Sequence, residues 1–542
     1  MSISQNSQIN KNLNLWLPIL FALILAVGMS LGYSLKSTPS SGFSGSNEGS
    51  AKRVDELIRY IEAKYVDTVD TKILVDKAIE SILKELDPHS NYIPPEYLAA
   101  VNEDLEGNFE GVGIQFVIKD DTIYVVSAIE GGPSKKAGVR SGDKIIYIGD
   151  SLVAGNATNS NGVVQKLKGK KGTTVNIKVK RSGQKELLTF KITRDKIPIY
   201  SVDASYMLDK NTGYIKISRF SATTHKEFIE KVKKLEEKGL KNIVIDLRQN
   251  PGGYLHAATK ILDQLFNDEA LLVYTEGLNY DKTDYKAKKH SFFKLDQVAL
   301  LIDEGSASAS EIMAGAVQDW DRGAIIGRRS FGKGLVQEQY RLSNGGALRL
   351  TIARYFTPSG RSIQKPYEDR KSYNDEMYNR SESGELSSKD SIQIGDTTKY
   401  HTNQGRVVYG GGGIMPDFFV PINPVMNNKF YGQSVPYVAP FVYTHLDAHR
   451  EDYRRFETIS QFKKDMIVSD QLLKSFLKYL KKEGVKLDTE LYNQSKSELA
   501  KQIKAHLAKQ YFSNNGYYEI INHNDDMIKK ALKEFKVNSI KK

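Results

Sequence analysis

The sequence predicts a multidomain α/β protein: an N-terminal helical region, a β-rich module, an α/β core and a helical C-terminal extension. Three observations carry that expectation. A chain of 542 residues is longer than one hydrophobic core accommodates. Between about 101 and 195, short apolar-alternating runs succeed one another at strand length. From about 196 to 360, strand-like runs alternate with amphipathic helical patterns, which is how a sheet layered with helices reads in sequence.

Taken in order, the elements begin at residues 16–35, from Trp16 to Leu35, a run of twenty residues without a charge that is long enough to cross a bilayer. Lys11 precedes the run and Lys36 follows it, so basic flanks alone do not set its orientation. No small-x-small cleavage site is evident and the run is long for a cleaved leader, which favours an uncleaved signal anchor over residues 1–35. Everything after it is expected outside the cytoplasm, on the periplasmic side of the cell envelope. Residues 36–50 are rich in Ser and Gly and read as a flexible linker. Val54, Leu57, Ile58 and Ile61, then Ile73, Leu74, Ala78 and Ile82, give helical periodicity to 51–100.

Strands are expected at 113–118, 122–127, 144–148, 174–180 and 187–193, with one short helix at 133–137. The core, 196–421, is expected to hold strands at 213–218, 242–247 and 298–303, and helices at 224–237, 254–266 and 310–320. Residues 365–405 are polar and weakly periodic and read as a surface insertion. Residues 422–542 read as helical and basic, and no internal repeat is found.

Composition excludes several functions. There is no cysteine, hence no disulfide, no thiolate zinc site, no cysteine nucleophile and no lipidated N-terminal cysteine. The net charge is +12, and from Glu451 onward 19 Lys/Arg stand against 13 Asp/Glu. Those charges are mixed with apolar residues at helical spacing, as in Gln471-Leu472-Leu473-Lys474-Ser475-Phe476-Leu477, so a solvated helical face explains them better than a nucleic-acid surface. No nucleic-acid partner is expected. The nine histidines form no HExxH pair, which argues against a metalloprotease.

The chemistry concentrates in two segments. Gly305-Ser306-Ala307-Ser308-Ala309-Ser310-Glu311 follows the apolar run Val298–Asp303 and opens a helix. Phe331-Gly332-Lys333-Gly334-Leu335-Val336-Gln337 comes next. A hydroxyl and a lysine suffice for a hydrolytic dyad, because a desolvated ammonium loses its proton far more easily than one in water. Phe331, Leu335 and Val336 supply apolar surroundings for Lys333. Ser306, Ser308 and Ser310 are not ranked by chemistry alone, and Ser308, or Ser310 with Glu311, serves equally as a helix cap. Gly327 to Lys333 also spells Gly-x-x-x-x-Gly-Lys, but Gly334 stands where a phosphate loop needs Ser or Thr, and the following residues alternate like a strand.

Gly252-Gly253 after the strand Ile243–Leu247 allows backbone amides to approach a substrate, or simply makes a helix-entry turn. Val112-Gly113-Ile114 is an apolar-Gly-apolar loop opening a strand, of the kind that presents amides to a peptide carboxylate. His256, three residues past the glycine pair, invites a Ser–His alternative with Asp246 or Asp303, although no Gly-x-Ser-x-Gly surrounds Ser308.

These motifs, in this order, resemble the C-terminal processing peptidases, the Ser/Lys tail-specific proteases that carry a PDZ domain. Leu86-Asp87-Pro88-His89-Ser90-Asn91-Tyr92, Asp246-Leu247-Arg248-Gln249-Asn250-Pro251-Gly252-Gly253, Thr357-Pro358-Ser359-Gly360-Arg361 and Gly413-Ile414-Met415-Pro416-Asp417 extend the resemblance along most of the chain. It implies a PDZ domain over 101–195 and a serine peptidase core over 196–421. It selects Ser308 as nucleophile, with Lys333 as base, Gln337 as the base's partner and the amides of Gly253 and Ala309 as the oxyanion site. His89 is implied to be structural. Val112, Gly113 and Ile114 are implied to bind the substrate's C-terminus. The expected partners are protein or peptide substrates with free C-termini, and the membrane through the N-terminal segment. The chemistry requires no cofactor or metal. Two other readings stand beside it: a PDZ-bearing periplasmic scaffold with a degenerate core, and a Ser–His hydrolase.

Overall fold

A computed structural model of the chain describes residues 18, 21–30, 48–119, 121–129, 131–155, 160–266, 269–288, 293–393 and 395–541. Residues 1–79 and 80–542 are separate compact units. In the first, residues 21–30 and Glu48–Lys64 are helical. Of the expected anchor over 16–35 only residues 18 and 21–30 are described, and of the linker over 36–50 only 48–50. Among those described, no helix is long and apolar enough to cross a membrane.

The β-rich module follows the predicted alternation closely. An antiparallel sheet runs in the order Ile114–Lys119, Thr122–Ala128, Lys144–Ile148, Thr174–Lys180, Leu188–Thr193. Thr174–Lys180 alternates exposed and buried residue by residue, which puts Val175, Ile177 and Val179 on one face. They close on Ile123, Ile145 and Ile192. Ile114–Lys119 is an edge strand, so one side of its backbone is unpaired within this sheet. The helix Pro133–Ala137 forms as expected. A second helix, Ser160–Leu167, has no clear signal in the sequence, since its two turns offer only Val163 and Leu167 as buried apolar positions after a Ser-Asn-Gly start.

The core sheet runs Val202–Met207, Thr212–Ile217, Asn242–Asp246, Gln297–Ile302, Ala324–Gly327, Phe418–Phe419. Its first pair is antiparallel and the rest are parallel. Parallel strands covered on both faces read as continuous apolar runs, which is why 243–247 and 298–302 are conspicuous in the sequence. Ile243, Ile245, Leu300 and Ile302 pack toward the helices Thr224–Glu236, Leu255–Leu262 and Ala309–Asp319. Val244, Ala299, Leu301 and Ile326 face the other way and are covered by Met527, Ile528, Ala531 and Phe535 of the last helix, Asp526–Lys541. The end of the chain is therefore part of the core, not only of a peripheral extension. The preceding helices share their own apolar centre around Phe441, Phe462, Phe476, Leu499 and Leu507.

A second, antiparallel sheet carries the other half of the candidate site. Ala347–Phe356 pairs with Leu335–Arg341, with Leu271–Gly277 and with the short strand Asn91–Ile93. That last strand adds a short β element to the region 51–100, which is otherwise helical as expected. It delivers the Asp87-Pro88-His89-Ser90 motif to the sheet edge.

The reading of 365–405 as a surface insertion also needs correction. The helix Arg370–Glu382 buries Tyr373 and Arg380, and Lys365, Glu385 and Leu386 are buried beside it. Arg380 donates to the carbonyls of Arg329 (2.7 Å) and Ser330 (3.1 Å), while Arg329 pairs with Glu385 (2.8 Å). The segment braces the loop that carries Lys333. Its polarity conceals this in the sequence, because its buried contacts are paired charges instead of an apolar stripe.

Candidate active site

The strand Gln297–Ile302 ends at Asp303, whose carboxylate accepts the amides of Gln249 (2.8 Å) and Gly305 (3.0 Å) and fixes the following turn. Ser306 is fully buried and its hydroxyl donates to Leu247 O (2.9 Å). Ser310 is equally buried and donates to Asn250 O (3.0 Å). Ser308 alone of the three is partly exposed, at the N-terminus of the helix Ala309–Asp319. The structure thus separates three serines that the sequence leaves equivalent. Ser308 sits at φ 55°, ψ −113°, a conformation that costs a non-glycine residue roughly 1–3 kcal/mol and has to be held by its surroundings.

The glycine turn packs directly against it. At Gly252, φ is 97°, and a Cβ there would lie 2.7 Å from Ser308 Cβ and 2.9 Å from Ala309 N. At Gly253, with φ 137°, a Cβ would lie 2.1 Å from Phe220 O. Only glycine fits either position. The turn's base is set by Asp246, which accepts from Tyr214 Oη (2.8 Å) and Arg248 Nη2 (2.6 Å). Burial opposes charge on Asp246, but Arg248 and Lys216 outweigh it and hold the carboxyl well below the usual range. Among the described residues, the amides of Gly253 and Ala309 donate to no protein acceptor. One belongs to the turn and the other to an open helix N-terminus.

Lys333 lies between the two sheets, just before Leu335–Arg341. Its backbone and that of Ser308 are joined twice. The fully buried Glu311 carboxylate accepts the amides of Ser308 (2.8 Å) and Lys333 (2.9 Å) on the same oxygen, Oε2. Its Oε1 accepts Gly332 N (2.7 Å) and Ser330 Oγ (2.5 Å). On the carbonyl side, the buried Tyr355 hydroxyl reaches Lys333 O (2.6 Å) and Ser308 O (3.2 Å). Burial pushes the Glu311 carboxyl up to about 7, while its four donors pull the other way. All four offer protons to it, so the arrangement suits the carboxylate.

Burial first, and then the positive charge of Arg349, lower Lys333 to about 8; Glu311 and Asp87 oppose the shift. His89 is lowered to about 4 by burial and by Lys333, so it is neutral, and its Nε2 bonds the Tyr373 hydroxyl (2.7 Å). Gln337 Nε2 contacts Thr351 Oγ1 (3.4 Å), and no hydrogen bond joins Gln337 to Lys333.

His256 is stacked on Tyr254, with ring centroids 4.9 Å apart, and bonds neither acid considered for it. Asp246 is committed to Arg248 and Tyr214, and Asp303 to Gln249 and Gly305. The Ser–His arrangement is not assembled. The phosphate-loop reading fails too, since Lys333 leads into a strand. In the β-rich module, Gly113 has φ 73°, and Val112 O is held by Ser134 N (3.1 Å) and Oγ (2.6 Å). This loop opens the edge strand Ile114–Lys119.

Sequence reasoning missed Glu311 as the clamp, although a Glu three residues after Ser308 has capping-box spacing. Nothing in the sequence marks Tyr355 or Thr351.

Comparison with known proteins agrees with this architecture. Peptidase family S41 matches residues 211–369, the PDZ domain matches 111–192, and a family of unknown function matches 436–513. Carboxy-terminal processing protease CtpB of Bacillus subtilis (strain 168) is 36% identical over 317 residues, which is 58% of this chain and 65% of that protein, just under two thirds. Carboxy-terminal processing protease CtpA of the same organism is 34% identical over 358 residues, 66% of this chain and 76% of that protein. A solved photosystem II D1 C-terminal processing protease is 29% identical, covering 57% of this chain and 83% of that one, at a TM-score of 0.32. The chain belongs to the carboxy-terminal processing proteases, PDZ-bearing serine-type peptidases of family S41.

Proposed function

We propose that the protein is an exported, membrane-tethered serine endopeptidase that cleaves protein substrates near their C-termini through a Ser308/Lys333 dyad. The observation that carries this reading is the double bridge, Glu311 at the amides and Tyr355 at the carbonyls, between the backbones of Ser308 and Lys333. A lysine lowered to about 8 is a workable base near neutrality.

Neutral Lys333 takes the Ser308 proton as the hydroxyl oxygen attacks the scissile carbonyl. The amides of Gly253 and Ala309 hold the oxyanion. Collapse expels the amine, which takes its proton from the Lys333 ammonium, and leaves an acyl-enzyme. Water, deprotonated by the same amine, then releases the acid. Gln337 supports Lys333. The substrate's tail adds to the edge strand Ile114–Lys119, its carboxylate at Val112, Gly113 and Ile114. Residues 16–35 hold the enzyme to the membrane with its catalytic part outside the cytoplasm. The degenerate-scaffold alternative requires a broken site, and the occupied, bridged dyad positions favour the enzyme.

Ser308→Ala and Lys333→Ala are each expected to lower kcat more than about 1000-fold without unfolding the protein. The base works only when deprotonated, so kcat/KM should fall about tenfold per pH unit below the Lys333 pKa near 8. Turnover of Lys333→Ala at the wild-type rate would exclude the dyad. Amidating a peptide's C-terminus, or introducing Gly113→Asp, should slow its cleavage while a small ester is still hydrolysed; equal rates for free and amidated tails would remove the PDZ domain as tail reader. Fractionation of cells should find the full chain in the membrane pellet. A soluble exported form beginning near residue 36 would instead mark 16–35 as a cleaved leader.

A further inference from the structure

Gln337 carries an amide whose two ends do opposite things, and the site works with only one orientation. A neutral lysine that must accept the Ser308 proton needs its lone pair free. An acceptor oxygen beside it takes one of its N–H bonds and leaves the lone pair toward the serine. An N–H placed there instead would occupy the lone pair and quench the base.

The surroundings of Gln337 choose between these orientations. The pairing of Leu335–Arg341 with Ala347–Phe356 slips between Val336 and Gln337. Leu335 faces Arg354 and Val336 faces Ala353, yet Gln337 faces Thr351, where an uninterrupted ladder would have put Ile352 opposite. The bulge therefore replaces an aliphatic neighbour by a hydroxyl. That hydroxyl has one proton, and it donates it to Asp87 Oδ1 (3.1 Å). Asp87 is a buried acceptor that also takes the amides of His89 (2.8 Å) and Ser90 (2.9 Å) and the Ser90 hydroxyl (2.5 Å). Burial works against its charge, but these donors outweigh burial and hold its pKa below the usual value. With its proton committed to Asp87, Thr351 Oγ1 presents only lone pairs to Gln337 and accepts from Nε2 (3.4 Å). The reversed amide would set oxygen against oxygen.

We propose that Asp87 and Thr351 are positioning residues: they form a relay that fixes the Gln337 amide with its nitrogen on Thr351, which leaves its oxygen as the end available to the Lys333 amine. The inference rests on the reading of Lys333 as the base and Gln337 as its partner. It gives the Asp87-Pro88-His89-Ser90 motif, 264 positions from Thr351 in the chain, a place in the reaction.

The test is the rate constant with which a fluorophosphonate probe phosphonylates Ser308 in the full-length protein, the serine oxygen bonding to phosphorus as fluoride leaves, measured for Thr351→Val, Thr351→Ser, Gln337→Ala and the Thr351→Val/Gln337→Ala pair. The rate constant reports only sites that react, so a partly unfolded variant loses amplitude, not rate. Thr351→Val keeps the shape and loses the hydroxyl, and should slow phosphonylation about tenfold. Thr351→Ser should restore the rate to within about twofold, and Thr351→Val should add nothing once Gln337 is Ala. Phosphonylation of Thr351→Val at the wild-type rate, or a full Thr351→Val effect persisting in the Gln337→Ala background, would overturn the relay while leaving the dyad standing. Phosphonylation of Gln337→Ala at the wild-type rate would overturn Gln337's own role and the relay with it, and phosphonylation of Lys333→Ala at the wild-type rate would overturn the dyad reading itself.

Discussion

One buried carboxylate joins the two halves of this site. Glu311 belongs to the helix that Ser308 opens, and that helix is packed on the parallel sheet. Lys333 belongs to the loop leading into the antiparallel sheet. Without Glu311 the amides of Ser308, Gly332 and Lys333 would face each other in an apolar interior with no acceptor, a penalty of about 1–3 kcal/mol for each. Because a single oxygen accepts from both Ser308 and Lys333, neither backbone shifts without the other. The Tyr355 hydroxyl repeats the constraint at the carbonyls. The strained φ of Ser308 is sustained by this double attachment and by the contact with Gly252.

The same geometry sets the lysine's proton affinity. Burial and Arg349 drive Lys333 toward the neutral amine, while the Glu311 and Asp87 carboxylates pull it back. Burial wins, but the carboxylates keep the pKa near working pH, where a base combines a useful neutral fraction with enough affinity to take a proton. Further out, Arg380 and Glu385 brace the lysine loop through paired charges, so the polar segment 370–386 is as much a part of the site's support as the apolar core beneath Ser308.

Legibility in the sequence follows the range of the interactions. The module's strands can be placed because Val175, Ile177 and Val179 alternate within a few residues, and the core strands because they are buried on both faces. The neighbourhood of the three serines is legible, but the choice among Ser306, Ser308 and Ser310 is not, since it depends on Leu247 and Asn250 some sixty positions away. The strand at 91–93, the role of Tyr355 and the bulge opposite Gln337 rest on pairings between distant segments that no local period encodes. The last helix reads as an extension because the face it covers becomes a face only when the sheet has formed.

The double bridge is tested most directly at Glu311. Glu311→Gln keeps the side chain's size but offers one acceptor oxygen and a competing donor to four converging donors. Acylation of Ser308 by a serine-directed probe should fall by at least about 100-fold in a protein that still melts cooperatively. Acylation at the wild-type rate in Glu311→Gln would mean that Ser308 and Lys333 hold their positions without the shared carboxylate, and would contradict the dependence of the site on that bridge.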